Sequence, residues 1–148
     1  MKNIINRIFD TDNKYSFLIL RIITGIILAA HGSQKLFGWF GGYGLEGVGK
    51  WMDSIGLHPG YLMALMSGSV EFFGGLALIL GLFTRLAGLA TTILLLVAIV
   101  SVHLNNGLFL ANNGFEFALA LIASTITLTI EGGGKFSIDK LIKNKLGV

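Results

Sequence analysis

The chain has 148 residues, of which 53% are hydrophobic and 13% charged, and its mean hydropathy is +0.77. The length suits one domain, and the composition lies outside the range of soluble globular proteins, so a lipid bilayer is the expected solvent. The net charge of +3 comes from basic residues scattered at the ends of apolar stretches, which argues against a nucleic-acid-binding surface. The absence of cysteine excludes disulfide exchange through the protein's own sulfur, and cysteine-ligated zinc or iron–sulfur centres.

The N-terminal segment, residues 1–14, predicts a short amphipathic helix at the membrane interface. Ile4, Ile5, Ile8 and Phe9 recur at helical spacing, and a basic residue lies between them. This segment is expected to rest on the membrane surface before the first span begins.

Four apolar stretches follow, each close to the ~20 residues that a helix needs to cross ~30 Å of hydrocarbon. They cover residues 15–36, 61–83, 86–104 and 108–130. We therefore expect residues 1–148 to form a single all-α domain, an integral membrane four-helix bundle.

Two more amphipathic helices are predicted outside the spans. In the first outer loop, the segment "LEGVGKWMDSIGL" places apolar residues from Leu45 to Ile55 near one helical face. After the fourth span, Ser137 is a good N-cap residue for a basic helix within residues 136–146. That C-terminal helix is expected to lie against the inner leaflet.

The distribution of lysine and arginine predicts the orientation of the chain, because basic residues near short loops are retained in the cytoplasm. With four spans, only Lys35 and Lys50 fall on the outer side. The basic residues on the inner side are Lys2, Arg7, Lys14, Arg85, Lys135, Lys140, Lys143 and Lys145. We expect a multi-pass protein of the bacterial plasma membrane with both termini in the cytoplasm.

Several ionisable residues lie at membrane depth, where each costs at least ~2.5 kcal/mol unless it has a partner, a wet cavity or a function. They are Arg21, His31 and Lys35 in the first span, Glu71 in the second, His103 in the third and Glu116 in the fourth. Helical periodicity places Arg21, His31 and Lys35 on one face of the first span. Small residues beside Glu71 and Glu116 let helices approach closely, so we expect the faces that carry these two residues to point into the bundle.

From this pattern we predict a polar pocket in the outer half of the bundle. His31, Glu71, His103 and Glu116 would converge there, one from each span, with Lys35 at the mouth and an Arg21–Glu71 ion pair closing the bottom. Structural explanations remain open, since the ion pair could only fix helix register and the outer residues could simply face interfacial water.

Three segments resemble the DoxX family of small four-span bacterial membrane proteins. They are "LRIITGIILAAHGSQKLFG", "SGSVEFFGGLALILGLFTRLAG" and "NGFEFALALIAS", over about residues 15–130. The matching features are Arg21, the "HGxQKLFG" element from His31 to Gly38, Glu71 before Gly74 and Gly75, and Glu116. The resemblance implies a fold related to subunits of a thiosulfate:quinone oxidoreductase and an association with quinone or thiol stress and redox homeostasis. It brings no cofactor motif with it.

The first functional hypothesis is a redox-associated subunit that binds a quinone. His31 and Lys35 would donate hydrogen bonds to the quinone carbonyls, and Glu71 or Glu116 would move the two protons that reduction takes up. The other residues assigned to binding are Arg21, Gln34 and His103. A partner protein would have to supply the electrons, because the chain has no flavin, haem or iron–sulfur signature.

Other classes of function stay open. Two imidazoles and two carboxylates are acceptable ligands for zinc or iron, but no i, i+3 or i, i+4 ligand pair is present, so we assign no metal ligands. A non-catalytic anchor could recruit a soluble enzyme through the basic tail, and a small solute or proton carrier is a further alternative. The glycine-rich faces suit packing within one bundle or between copies of the chain, which leaves a homo-oligomer open. Whether the chain is part of an enzyme is also open.

Overall fold

A computed structural model describes residues 15–147, so the amphipathic helix predicted within residues 1–14 lies outside the described residues. Six α-helices follow one another in this part of the chain. They are α1 (Ser16–Phe37), α2 (Gly44–Ser54), α3 (Gly60–Leu80), α4 (Thr84–Ala98), α5 (Glu116–Glu131) and α6 (Ile138–Leu146). A π-helical turn, Ile99–His103, and a 3₁₀ turn, Leu104–Asn106, prolong α4.

Within the described residues, three helical segments are long and apolar enough to cross a membrane: Ser16–Phe37, Gly60–Leu80 and Thr84–Asn106. Together with α5 they form a helical membrane bundle, which confirms the predicted fold class. We call the end that carries Ser16, residues 80–84 and α6 the tail end. The opposite end, which carries α2 and residues 104–115, is the loop end.

Close backbone contacts set the pairing of α1 with α3. A Cβ atom placed on Gly32 would lie 2.3 Å from the backbone nitrogen of Phe72, and one on Gly75 would lie 2.5 Å from the nitrogen of Ala29. Small residues let two helices approach this closely in lipid. Gly32 is therefore level with Phe72, and the two helices run antiparallel from this contact.

The second close pair is α4 with α5. The hydroxyl groups of Thr92 and Thr125 are 2.7 Å apart, and both side chains are buried. Leu95, Leu121 and Leu28 belong to the apolar core that joins this pair to α1 and α3. By contrast, α1 and α5 contact each other less extensively than each contacts its main partner.

The C-terminal helix is built into the tail end of the bundle. The Ser137 hydroxyl accepts a hydrogen bond from the Lys140 N–H at 3.2 Å, which confirms the predicted N-cap. The Asp139 carboxylate, from a residue that is only 1% exposed, accepts the N–H groups of Phe83 at 2.7 Å and Thr84 at 2.9 Å. α6 therefore caps the start of α4 as well as presenting lysines to its surroundings.

The helix predicted in the first outer loop is also present, as α2. Val48 and Met52 are buried against Ala64 of α3, so this helix covers the loop end of the bundle. Trp39, Phe40 and Tyr43, in the segment before it, are exposed, as expected for aromatic residues at a membrane interface.

The helix of the fourth predicted span, α5, begins at Glu116, eight residues after the apolar stretch starts at residue 108. Its 16 residues span about 24 Å, which is short of the ~30 Å of hydrocarbon. Gly107 and Asn113 both have positive φ angles, 76° and 60°, which a helix does not allow. Residues 107–115 consequently fold into a loop at the loop end.

Candidate functional site

An ion pair between Lys35 and Glu71 joins α1 to α3 at membrane depth. Lys35 Nζ lies 2.6 Å from Glu71 Oε1, and the two side chains are 27% and 9% exposed. A Cβ on Gly68 would lie 3.1 Å from Lys35 Cβ, so the lysine side chain starts beside Gly68 and extends along α3 to Glu71. The second carboxylate oxygen, Oε2, is buried and has no hydrogen-bond partner among the described residues. This oxygen is enclosed by the protein and is free to take up a proton.

The predicted ion pair between Arg21 and Glu71 is wrong. The contact of Gly32 with Phe72 places Glu71 near the loop end of α1, whereas Arg21 is eleven residues, or about 16 Å, closer to the tail end. The Arg21 guanidinium, only 1% exposed, instead donates to the carbonyls of Leu78 at 3.2 Å, Ile79 and Phe136. It therefore satisfies carbonyls at the C-terminus of α3 and ties the tail segment to α1.

The remaining predicted site residues each have a different partner. The exposed His31 ring lies 5.9 Å from the ring of Phe117 on α5. Gln34 Nε2 donates to the carbonyl of Phe40 at 3.4 Å. His31 thus faces α5 rather than Glu71, and Gln34 supports the turn after α1.

His103 and Glu116 bind the backbone of the loop between α4 and α5. His103 Nδ1 lies 2.9 Å from the Asn113 carbonyl, and Glu116 Oε1 accepts the Leu110 N–H at 2.6 Å. Of the ionisable residues predicted to converge on a pocket, the structure joins Lys35 to Glu71 and holds His103 and Glu116 in a separate set of contacts. The convergence fails because short-range backbone partners satisfy these two side chains.

A cleft of about 500 Å³ lies between α1 and α5. Ile23 and Ile27 line it from α1, and Phe117, Ala120 and Leu121 line it from α5. Most of its wall is apolar, and the exposed side chain of Ile23 stands at its rim. The cleft differs from the predicted polar pocket, since it follows residues 16–27 of α1 and is apolar. The ring contact of Phe117 with His31 marks its loop end.

A metal site finds no support in residues 15–147. Nowhere in this part of the chain do three histidine, aspartate or glutamate side chains lie close enough together to hold a metal ion. The four residues considered as ligands, His31, Glu71, His103 and Glu116, have the separate partners described above.

Outside the spanning helices, Asp53 connects α2 with the start of α3. Its carboxylate accepts the Gly60 N–H at 2.7 Å and lies 2.8 Å from His58 Nδ1. These two hydrogen bonds lower the pKa of Asp53 below its ordinary value of 3.8. The carboxylate is thus held in its charged form at the N-terminus of α3.

Sequence reasoning did not find the buried carboxylate of Asp139. The N–H groups that it accepts lie 55 and 56 residues earlier in the chain, so no local spacing indicates the contact. The partners of His103 and Glu116 do have a local signal, because Gly107 and the asparagines before Gly114 are typical of a tight loop.

Comparisons with known proteins show which sequences this chain resembles. The DoxX family model matches residues 16–104. A Bacillus subtilis (strain 168) protein named "Putative oxidoreductase CatD" is 34% identical over 125 residues, which are 84% of this chain and 85% of that protein. "Inner membrane protein YqjF" of Escherichia coli (strain K12) is 30% identical over 128 residues, 86% of this chain and 92% of its own. No solved structure matches the chain significantly.

Proposed function

Because the chain belongs to the DoxX family of membrane proteins, we propose that it is a redox-associated membrane subunit that binds a quinone in the cleft between α1 and α5. The oxidoreductase name of the Bacillus subtilis relative supports the class of function. The cleft itself is the observation that carries the proposal for this chain.

The size and lining of the cleft suit a membrane-soluble ligand with a ring and an apolar tail. Its volume of about 500 Å³ falls within the ~300–1,000 Å³ of typical small-molecule sites, which are mostly apolar with a few polar groups. Ile23 and Ile27 would contact an isoprenoid tail entering from the lipid. At the loop end, Phe117 offers an aromatic face and His31 a hydrogen-bond donor for a quinone carbonyl.

The Lys35–Glu71 pair would take part in the proton transfer that quinone reduction requires. Lys35 follows His31 by four residues, so its backbone stands about 6 Å farther along the same helix. Reduction of a quinone to a quinol takes up two protons, and the free Oε2 of Glu71 is able to hold one. Glu116 is already bound to the Leu110 N–H, so we assign the proton transfer to Glu71. Electrons would come from a partner protein.

The proposed orientation puts the tail end in the cytoplasm of a bacterial cell. Lys135, Lys140, Lys143 and Lys145 all lie in or beside α6, and Lys50 lies at the loop end. Basic residues of this kind are retained on the cytoplasmic side. The cleft would then open to the bilayer, with its His31 end toward the outer leaflet.

A non-catalytic anchor is the second candidate, and the fixed position of α6 favours it. The Asp139 cap holds this helix on the bundle while Leu141 and Lys145 stay exposed. That surface would recruit a soluble enzyme. Under this alternative, Lys145→Glu abolishes recruitment while quinone has no effect on the protein.

The test is thermal unfolding of the detergent-purified full chain with a short-chain quinone. A ligand present at 100 times its Kd stabilises the folded state by about 2.7 kcal/mol, so the wild-type protein should melt at a higher temperature. Ala120→Phe should abolish the shift because Ala120 lines the cleft, whereas Ala123→Phe, on an exposed part of the same helix, should retain it.

A second matched pair examines the proposed headgroup contact. His31→Ala is expected to weaken quinone binding at least tenfold, and His103→Ala, which removes a histidine bound to the loop backbone, should leave it unchanged. The proposal fails if the wild-type protein shows no quinone-dependent shift, or if Ala120→Phe and Ala123→Phe respond alike.

A further inference from the structure

The loop at residues 107–115 presents an apolar surface that the proposed quinone site does not use. Leu108, Phe109 and Leu110 are consecutive, and their exposed fractions are 44%, 64% and 56%. Three adjacent large apolar residues at the tip of a loop are unusual on a surface that faces water.

The depth of this loop follows from the pairing of α4 with α5. Thr92 and Thr125 are in contact and therefore at the same level. Asn106 lies 14 residues, about 21 Å, from Thr92 toward the loop end, whereas Glu116 lies only nine residues, about 14 Å, from Thr125. The helical segment that continues α4 thus extends about 7 Å beyond the start of α5, and the loop fills that level.

The first helix gives the same depth independently. The ring contact between His31 and Phe117 places these residues near one level, and α1 continues for six more residues, about 9 Å, to Phe37. Residues 107–115 therefore lie at the level of the last turns of α1 and of the continuation of α4, both of which belong to helical segments long and apolar enough to cross a membrane.

Hydrogen bonds close the backbone of the loop on itself. The N–H groups of Gly114, Phe115 and Glu116 donate to the carbonyls of Phe109, Gly107 and Leu108 at 3.0, 3.1 and 2.9 Å. Irregular backbone that is exposed to lipid does not occur in the hydrocarbon core, so a loop of this kind belongs at the membrane interface. The hydrogen bonds lower the number of unsatisfied backbone groups that the loop brings to that interface.

The side chains of His103 and Glu116 complete the network. Glu116 Oε1 accepts the Leu110 N–H at 2.6 Å, and the Asn113 carbonyl is 2.9 Å from His103 Nδ1 and 3.3 Å from Asn106 Nδ2. His103, Asn106 and Glu116 thus bind the loop backbone, while Leu108, Phe109 and Leu110 are exposed, as are Asn112 and Asn113 of the same loop.

We propose that residues 107–115 form an interfacial loop, in which Leu108, Phe109 and Leu110 insert into the acyl chains at the edge of the leaflet at the loop end. The ~24 Å of α5 and the ~7 Å of this loop add up to about the ~30 Å of the hydrocarbon layer. The loop therefore lies where the hydrocarbon layer meets the lipid headgroups. Glu116 and His103 act as positioning residues for this loop.

The absence of cysteine allows a direct test by single-site labelling in reconstituted phospholipid vesicles. A polarity-sensitive fluorophore on Phe109→Cys should emit as it does on Val100→Cys, a 69%-exposed position on the continuation of α4. Lys50→Cys, exposed on α2, is the aqueous reference. A quencher attached to lipid chains should quench the Phe109 label, and aqueous iodide should not.

A second comparison tests the role of Glu116. Glu116→Gln retains an oxygen that accepts the Leu110 N–H, so the Phe109 label should stay in lipid, whereas Glu116→Ala should shift its emission toward that of the Lys50 label. An aqueous emission from Phe109 in the otherwise unaltered chain, with quenching by iodide, would overturn the proposal. That result would indicate a water-exposed loop or a docking surface for another protein.

Discussion

Replacement of Gly32 by alanine should weaken the central contact between α1 and α3. The new Cβ atom would lie 2.3 Å from the nitrogen and 2.7 Å from the Cα of Phe72, where ordinary contact begins near 3.4 Å. The helices would have to separate by about 1 Å to relieve the closer contact. Both atoms belong to the backbone, so rotation of a side chain does not relieve the clash.

The expected loss combines two opposing effects. Overpacking a tight interface costs typically ~1–3 kcal/mol, and a clash with backbone belongs at the upper end of that range or beyond. Alanine recovers up to about 1 kcal/mol, because it is a better helix former than glycine. We expect a net loss of about 2 kcal/mol, which lowers the folded-to-unfolded ratio roughly 30-fold.

Unfolding in mixed detergent micelles with increasing sodium dodecyl sulfate, followed by circular dichroism, measures this loss. Gly68→Ala is the matched control on the same interface, because its three nearest neighbours are all side-chain atoms: Leu36 Cδ2 at 2.9 Å, Leu36 Cγ at 3.0 Å and Lys35 Cβ at 3.1 Å. It should lose clearly less stability than Gly32→Ala. The reasoning is refuted if Gly32→Ala is as stable as the wild-type protein, or if Gly68→Ala loses more.

Three further variants test other contacts. Asp139→Ala leaves two N–H groups at the start of α4 without their acceptor, and the same titration should show a loss of about 2 kcal/mol. Because the pKa of Asp53 is lowered in the folded state, its carboxylate stabilises the fold fully above pH 3.8, and this contribution is lost as the pH falls through the lower pKa of the folded state. The melting temperatures of wild-type protein and Asp53→Asn should therefore converge on acidification. A difference that stays constant with pH contradicts this. Arg21→Lys should lower the melting temperature without altering its quinone-dependent shift, because Arg21 binds carbonyls at the tail end. An altered shift at unchanged stability would instead place Arg21 in the ligand site.

The contrast between Lys35 and Arg21 shows how far sequence reasoning reached at the candidate site. Helical periodicity correctly predicted that both Lys35 and Arg21 face α3, where Glu71 lies. It did not indicate which of them is level with Glu71, because the relative height of two helices is independent of the periodicity of either one. The contact of Gly32 with Phe72 decides that height, and it selects Lys35.

Glu116 illustrates a different difficulty. Hydropathy marked an apolar stretch from residue 108 onward, but hydropathy alone does not distinguish a helix from a loop whose polar backbone is satisfied internally. The positive φ angles of Gly107 and Asn113 and the Glu116–Leu110 hydrogen bond depend on the folded loop. The helix therefore begins later than the apolar stretch.

The sequence by itself determined the all-helical membrane fold, the family, the amphipathic helix between the first two spans and the capped helix that begins after Ser137. Each of these follows from the composition, periodicity or motif of segments read along the chain. Only the tertiary structure decided that Lys35 pairs with Glu71, that Asp139 caps α4 and that the cleft lies between α1 and α5. These features depend on how close the backbones of distant segments approach and at what height they meet, because the free energy of an ionisable group in a membrane is set by the partner within its reach.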